Sequence, residues 1–357
     1  MLTQTDLKQV TDPMRVSELL KNLRAFERHP KVKLVILKGN GKAFSAGGDA
    51  AAIFQFVAYG HWSFAASFYR KQLILDHLIA TYDKPLVSII NGIVMGGGAG
   101  LSMHGRFRVV TENAVFAMPE ASLGLYPDVG ASYFLSRLPG FFGEYLGLTG
   151  ARIDGAEMLA CGLATHFVPS MHLPSLEREL CRVNSASFAV ISAILDVFAQ
   201  RVSTREGSAY RSLDAINKCF SKNTIEEIFS ALEQRAVKGD EWALTAFKSM
   251  KSASPTSLKI FLKSIRKGRK QDVSQCLIRE FRMTCHAFRR TVNGDFYEGT
   301  RAILVDKDKK PQWQPSKLEL VTDEMVDQFF AKIEDDDWAE LQLRGKSSPA
   351  NFGLAKL

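Results

Sequence analysis

Two carboxylic acids and two clusters of small residues are the parts of this chain best suited to chemistry. Glu120 and Asp128 follow a glycine cluster at residues 95–100, and a second small-residue turn lies at residues 44–49. Backbone N–H groups in such turns can stabilise a developing oxyanion, and each donor contributes about 3 kcal/mol. A nearby carboxylate can attack a carbonyl carbon or remove a proton. This combination favours acyl chemistry on a thioester over a metal or nucleotide site.

Each of these residues also has a structural interpretation. Glycines permit tight turns and close packing, a Glu after a strand is usually exposed, and Asp128 can cap a helix that starts near Val129. Both turns follow apolar runs that read as buried strands, which favours a functional role: the small residues Ala46 and Gly97 allow a carbonyl oxygen to approach two backbone N–H groups. If Glu120 lies at the edge of the core, desolvation raises its pKa.

The sequence gives little support to other kinds of site. His104, in Ser102-Met103-His104-Gly105, has no obvious Ser or Asp partner for catalysis and is interpreted as a structural histidine. The seven His and five Cys residues show no metal-ligand spacing. The glycine cluster lacks the G-x-G-x-x-G spacing and the acidic residue of a nicotinamide site. Asp49 precedes a predicted helix and is interpreted as its cap.

The composition is that of a globular protein, and its positive charge favours an anionic ligand such as a phosphate-bearing small molecule. The chain has 357 residues, a net charge of +8 and 46% hydrophobic residues. No apolar run approaches the roughly 20 residues of a membrane span. The basic residues are dispersed and form no nucleic-acid signature, so we expect no nucleic-acid partner. The cysteines are five in number, which is odd, and they are widely spread along the chain. Because the sequence shows no signal-peptide pattern, we expect reduced thiols in an intracellular protein.

The predicted elements alternate between strands and helices in the first half of the chain. Hydrophobic spacing predicts helices over 15–27 and 64–79, and a further helix from the glycine cluster to His104. Apolar runs predict strands over 34–37, 85–90 and 107–110. This order indicates an α/β fold built from repeated crossovers. The later sequence is helix-rich, with a capping box from Thr224 to Glu227, so we place a boundary near residue 170.

Several motifs resemble the crotonase (enoyl-CoA hydratase/isomerase) superfamily and, within it, the 3-hydroxyisobutyryl-CoA hydrolases. The superfamily pattern is present as Lys42-Ala43-Phe44-Ser45-Ala46-Gly47-Gly48-Asp49 and Asn91-Gly92-Ile93-Val94-Met95-Gly96-Gly97-Gly98. The hydrolase pattern is present as Phe116-Ala117-Met118-Pro119-Glu120, Gly124-Leu125-Tyr126-Pro127-Asp128-Val129-Gly130 and Asp295-Phe296-Tyr297-Glu298-Gly299. The resemblance implies a crotonase-type β-β-α spiral core at 1–170. It also implies that a helix-rich region at 171–357 completes an acyl-CoA site.

The resemblance also implies roles for individual residues. Ala46 and Gly97 supply the backbone N–H groups of an oxyanion hole, and Glu120 and Asp128 are the catalytic acids. Gln72 stands where many hydrolases of this group have a glutamate, and it contacts substrate together with Gly97, Glu120 and Asp128. Hydratases of the superfamily carry a second glutamate where this chain has Gly100. This difference favours thioester hydrolysis over hydration of a double bond.

The expected function is therefore hydrolysis of 3-hydroxyisobutyryl-CoA in valine catabolism. The alternatives are an enoyl-CoA hydratase or isomerase and a non-catalytic relative that binds acyl-CoA. Coenzyme A is part of the substrate, and no metal or other cofactor is expected. The superfamily often forms trimers, so a homo-oligomer is also expected.

Both ends of the chain carry further expectations. The ending Ala355-Lys356-Leu357 resembles the Ser-Lys-Leu peroxisomal signal, which predicts peroxisomal localisation and recognition by the import receptor. Residues 1–14 do not match the usual opening of the family, so we expect the core to lack its first strand segment.

Overall fold

The structure is a computed structural model that describes residues 13–47, 50–335 and 338–343. In this part of the chain, eight short strands form two four-stranded sheets. The strands are β1 Val35–Lys38, β2 Ala43–Ser45, β3 Leu86–Ile90, β4 Ile93–Met95, β5 Phe107–Val110, β6 Val115–Ala117, β7 Ile153–Asp154 and β8 His166–Phe167.

The helices occupy most of the remaining chain. The α-helices are α1 Pro13–Arg28, α2 Ala50–Tyr59, α3 Trp62–Ala80, α4 Gly97–Met103, α5 Ala131–Phe134, α6 Phe142–Thr149, α7 Gly155–Cys161, α8 Leu173–Arg182, α9 Phe188–Phe198, α10 Leu213–Phe220, α11 Ile225–Val237, α12 Glu241–Ser252, α13 Pro255–Gly268, α14 Val273–Arg289, α15 Asp295–Thr300 and α16 Asp323–Phe330. Single 3₁₀ turns lie at Glu120–Leu123, Leu135–Arg137, Ser170–His172, Ala209–Ser212 and Leu318–Leu320, and a π-helical turn at Arg301–Val305.

The strands follow a spiral in which each turn adds one strand to each sheet. The first sheet has the order β1-β3-β5-β8 and is parallel throughout; the second has the order β2-β4-β6-β7, with only β7 antiparallel. Helices α2 and α3 follow the first strand pair, and α4 follows the second. This arrangement confirms the predicted β-β-α spiral. All described elements after residue 172 are helical, which confirms the predicted helical C-terminal region.

The predicted strands and helices agree with the structure except in the second sheet. Strands β3 and β5 are buried at every position, as expected for central strands of a parallel sheet that is covered on both faces. The sequence prediction placed Phe44 and Ser45 in a turn and assigned neither Ala43–Ser45 nor Ile93–Met95 to a strand. Both are strands of three residues, too short to show an alternating pattern, and they are defined by pairing with each other.

The two halves of the chain share one main hydrophobic core. Helix α14 packs on α3, and Leu73 of α3 and Leu277 and Phe281 of α14 are buried in the same cluster. The capping box at the start of α11 forms as predicted, with Thr224 accepting from the Glu227 N–H. The division near residue 170 stays a prediction.

Strands β1 and β2 are edge strands of their sheets in the described ranges. The expectation of a missing first strand falls on residues 1–14, of which 1–12 lie outside the described residues. Within those same ranges, none of the helices combines the length and the hydropathy needed to cross a membrane.

Candidate active site

Three neighbouring strands bring both small-residue turns and Glu120 to the carboxyl ends of the strands in the second sheet. Strands β2, β4 and β6 are parallel neighbours, so their carboxyl ends lie side by side. Ala46 directly follows β2, Gly97 begins α4 just beyond β4, and Glu120 begins the 3₁₀ turn just beyond β6. In parallel sheets, ligands characteristically bind at the carboxyl ends of strands. The sheet order thus places Ala46, Gly97 and Glu120 at one place.

The two small-residue turns touch each other through glycine backbone. Gly47 has a φ of +92°, and a Cβ atom there would lie 2.9 Å from the Met95 carbonyl oxygen and 3.3 Å from the Gly97 nitrogen. A Cβ atom on Gly98 would lie 2.4 Å from the Ser45 carbonyl oxygen. Only residues without a side chain permit these approaches. As the first residue of α4, Gly97 has an N–H without an intrahelical acceptor.

The Glu120 carboxylate lies against the same glycine turn. A Cβ atom on Gly96, whose φ is +51°, would lie only 2.9 Å from Glu120 Oε1. Glu120 is 7% exposed, and its Oε2 has no hydrogen-bond partner among the described residues. Burial of a carboxylate oxygen without a hydrogen-bond partner destabilises the folded protein, and it leaves that oxygen available to a bound group.

Asp128 is held by a strained turn with several supports. The β-branched Val129 has a φ of +53° and Gly130 has a φ of +83°. A β-branched residue in this region is strained and persists only when its surroundings hold it there. His104 Nε2 donates to the Val129 carbonyl oxygen at 2.8 Å, and the Gly130 N–H donates to the Glu280 carboxylate. These contacts fix the position of Asp128 in the cavity wall.

Two sequence interpretations can be judged at this turn. The N-cap of α5 is Gly130, without a side-chain capping bond, so the interpretation of Asp128 as a helix cap is wrong. The helix begins later than expected because the strained turn precedes it. The interpretation of His104 as structural is confirmed, since its ring is buried and bonded to backbone. Burial lowers the pKa of His104 to about 4, so it stays neutral near pH 7. Asp49 lies outside the described residues.

The two acids have raised pKa values for identifiable reasons. Burial raises the pKa of Glu120 well above its usual value, and the negative charge of Asp128 raises it further. Burial also raises the pKa of Asp128 to about 7; the neighbouring Tyr69 hydroxyl lowers it, and the charge of Glu280 raises it. Because the charge of Asp128 disfavours ionisation of Glu120, the two carboxyls titrate as a coupled pair.

Glu280 of α14 anchors the turn that carries Asp128 through buried hydrogen bonds. It is fully buried and accepts from the Gly130 N–H at 2.5 Å, from the Ser132 N–H at 3.1 Å and from the Ser132 hydroxyl at 2.5 Å. We expect Glu280→Ala to lower the free energy of unfolding by about 4 kcal/mol, because three buried donors lose their acceptor. Urea unfolding measures this loss. The exposed Glu319→Ala variant is the control, and a loss below 1 kcal/mol (about one ordinary hydrogen bond) would contradict the anchoring role.

All five predicted site residues line one cavity of about 160 Å³. Ala46, Gly97, Glu120 and Asp128 come from the strand ends and the strained turn, and Gln72 comes from α3. The other lining residues are mainly apolar or aromatic: Gly47, Ala50, Ile53, Phe68, Tyr69, Met95, Gly96, Pro119, Leu123, Leu125, Val129, Thr284, Phe288 and Phe296. An apolar cavity with a few convergent polar groups is the usual form of a small-molecule site.

Sequence reasoning missed several of these lining residues. Tyr69 lies one helical turn before Gln72, so its place on the same face of α3 was available from the helix period. Phe296 belongs to a motif that resembled the hydrolases but had no assigned role. Thr284 and Phe288 lie four residues apart on α14, and nothing in the sequence links that helix to the cavity. In the described ranges, no group of three or more His, Cys, Asp or Glu side chains could hold a metal ion.

The chain is similar to known proteins over most of its length. The sequence model of the family described as Enoyl-CoA hydratase/isomerase matches residues 4–330. The chain is 57% identical to 3-hydroxyisobutyryl-CoA hydrolase 1 of Arabidopsis thaliana over 343 residues, which cover 96% of this chain and 90% of the relative. It is 41% identical to the mitochondrial 3-hydroxyisobutyryl-CoA hydrolase of Xenopus laevis, with 89% and 82% covered.

A solved structure shares the whole architecture. The crystal structure of a carnitinyl-CoA dehydratase from Mycobacterium thermoresistibile superimposes with a TM-score of 0.83 at 33% sequence identity. The match covers 94% of this chain and 92% of that one, so it includes the helical second half as well as the spiral core.

Proposed function

Because this chain belongs to the enoyl-CoA hydratase/isomerase family, we propose that it hydrolyses the thioester of 3-hydroxyisobutyryl-CoA. The reaction consumes one water and releases 3-hydroxyisobutyrate and coenzyme A with a free thiol. The observation that carries this proposal is the convergence of Glu120, Asp128, Ala46 and Gly97 on one apolar cavity. The volume of about 160 Å³ suits a short acyl group.

The two glycine-rich turns have the arrangement needed to activate a thioester carbonyl. In the proposed complex, the carbonyl oxygen accepts hydrogen bonds from the backbone N–H groups of Ala46 and Gly97. These donors are fixed by the backbone before substrate binds, so they stabilise the tetrahedral oxyanion without reorganisation. A Cβ atom on Gly47 would lie 3.3 Å from the Gly97 nitrogen, and this proximity of the two turns supports the proposal that both N–H groups bind the same oxygen.

Glu120 can bring about cleavage of the thioester by either of two routes. In the first, its carboxylate attacks the thioester carbon, the C–S bond breaks, and water hydrolyses the resulting anhydride. In the second, it removes a proton from a water that attacks the same carbon directly. In both, the departing sulfur becomes a thiol by gaining a proton, for which the neighbouring Asp128 is the donor.

The names of the relatives support hydrolysis over hydration. Relatives at 57% and 41% identity are named 3-hydroxyisobutyryl-CoA hydrolases, whereas the structural neighbour named a dehydratase is 33% identical. Position 100 also disfavours hydration. A Cβ atom on Gly100 would lie 2.8 Å from both Asp76 Oδ2 and Val129 Cβ, so a glutamate side chain has no space there.

The test is release of free thiol from 3-hydroxyisobutyryl-CoA by the purified chain, followed with a thiol reagent. We expect turnover with this substrate and no loss of absorbance with crotonyl-CoA, whose double bond a hydratase would remove. Hydration of crotonyl-CoA without thiol release would replace the proposed function. Binding of both thioesters without any turnover would indicate the non-catalytic relative.

We further place this reaction in valine catabolism within the peroxisome, in a homo-oligomer. The support for this location is the ending Ala355-Lys356-Leu357, which lies outside the described residues. We expect a fluorescent protein fused to the amino end of the full chain to accumulate in peroxisomes through the import receptor. Deletion of these three residues should abolish this accumulation. Signal in mitochondria, or punctate signal that survives the deletion, would contradict the peroxisomal assignment.

A further inference from the structure

The buried face of α3 carries an acid for which the proposed reaction has no use. Asp76 is completely buried and does not line the cavity. Its Oδ1 accepts a hydrogen bond of 2.9 Å from Gln72 Nε2, and its Oδ2 has no hydrogen-bond partner among the described residues. A buried carboxylate with one unpartnered oxygen is destabilising. A functional role for Asp76 would explain why the chain keeps a residue that destabilises the fold.

Among the described residues, only Gln72 forms a hydrogen bond with the Asp76 side chain. Its Oδ2 faces the backbone of Gly100, where a Cβ atom would lie 2.8 Å away. Burial raises the pKa of Asp76 well above its usual value, the Gln72 hydrogen bond lowers it, and the charges of Asp128 and Glu280 raise it. Asp76 thus has no direct path to substrate and can act only through Gln72.

Gln72 lies between Asp76 and the cavity. Its side-chain amide has a donor end, Nε2, and an acceptor end, Oε1. Because Nε2 is directed at Asp76, the amide cannot turn that end toward substrate without breaking the 2.9 Å bond. Among the described residues, none donates a hydrogen bond to Gln72 Oε1. Gln72 lines the cavity, so its free acceptor end is available to a bound ligand.

We propose that Asp76 is a positioning residue that orients the Gln72 amide so that Oε1 accepts a hydrogen bond from the 3-hydroxyl group of the substrate. The Asp76–Gln72 pair thereby selects 3-hydroxyacyl thioesters over acyl thioesters without the hydroxyl, and this inference rests on the proposed function. An analogue without the hydroxyl leaves Oε1 desolvated and unpaired, which is how polar groups in a site reject such ligands.

The experiment compares kcat/KM for 3-hydroxyisobutyryl-CoA with kcat/KM for isobutyryl-CoA. We expect this ratio to fall about tenfold in Asp76→Leu, whose side chain has the same branching but no acceptor, because one hydrogen bond to substrate is lost. Asp76→Asn keeps an oxygen that can accept from Gln72 Nε2, so its ratio should stay within about twofold of the unaltered chain. A merely structural role would lower both rates together and leave the ratio unchanged.

Gln72→Leu completes a double-mutant cycle and does not depend on the folding of Asp76→Leu. We expect its ratio to fall at least as far, with no further fall in the double variant, because Asp76 acts through Gln72. An unchanged ratio in Gln72→Leu, or falls that add in the double variant, would overturn the inference. Turnover of neither thioester by the unaltered chain would overturn the proposed function as well.

Discussion

Replacement of Glu120 by Gln is expected to lower kcat for thioester hydrolysis about 1,000-fold, since both routes need its carboxylate. The variant keeps the shape of the side chain and the backbone N–H groups of Ala46 and Gly97. Its affinity for the substrate should therefore change little, and the loss should appear in kcat and not in KM. Thiol release and equilibrium binding of the substrate measure the two quantities separately.

The same variant should be more stable than the unaltered chain. Burial raises the pKa of Glu120, so between the unfolded and folded pKa values the folded state holds a proton that the unfolded state has released. The free energy of unfolding then falls as pH rises through this range, and below the unfolded pKa the effect is absent. Glu120→Gln removes this penalty. Its gain in thermal midpoint should be larger at about pH 8 than at about pH 4.

The exposed Glu319→Gln variant is the matched control for both measurements, and it should change neither. If Glu120→Gln kept more than a tenth of the activity (a loss below about tenfold), Glu120 would be neither nucleophile nor base. A fall in stability at neutral pH would show that its carboxylate has a stabilising partner in the folded chain.

Replacement of Asp128 by Asn is expected to lower kcat about 100-fold and to alter the pH profile. Activity requires an ionised Glu120 and a protonated Asp128, so kcat/KM should rise with pH as the carboxyl pair loses its first proton and fall as it loses the second. Burial raises the pKa of Asp128 to about 7, which keeps its proton available near neutral pH. Asn has no proton to lose in this range. The falling limb of the profile should therefore disappear in Asp128→Asn.

The measurement is kcat/KM from about pH 5 to about pH 9, the range that reports the free enzyme's essential acid and base. The exposed Asp214→Asn variant should reproduce the unaltered profile. A falling limb that stays in place in Asp128→Asn would mean that another group sets it. A falling limb that disappears without a fall in kcat would leave Asp128 as an electrostatic neighbour and not as the proton donor.

The relation between Glu120 and Asp128 shows the limit of sequence reasoning about the site. Both were identified from residue type and from motifs that resemble the hydrolases. Their raised pKa values follow from burial and from each other's charge, which are properties of the folded molecule. Glu280 adds to this field although it is 152 residues from Asp128 in sequence. No local pattern indicates that contact.

Local features of the chain were predicted well because their causes are local. Helical spacing predicted α1 and α3, and buried apolar runs predicted β1, β3 and β5. Glycine at positions 47 and 96 was correctly associated with tight turns, because left-handed backbone and close approach favour a residue without Cβ. The spiral fold came from motif resemblance. The short strands β2 and β4 escaped prediction because three residues carry too little pattern.

The sequence by itself determined which residues have the chemistry of the site: two acids, two glycine-rich turns and an amide. Only the tertiary structure decided that they line one cavity. Ala46, Gly97 and Glu120 meet because β2, β4 and β6 pair side by side, and strand pairing is a long-range choice made by the whole core. The role inferred for Asp76 depends in the same way on packing, since its burial and its bond to Gln72 exist only once α3 lies against the core.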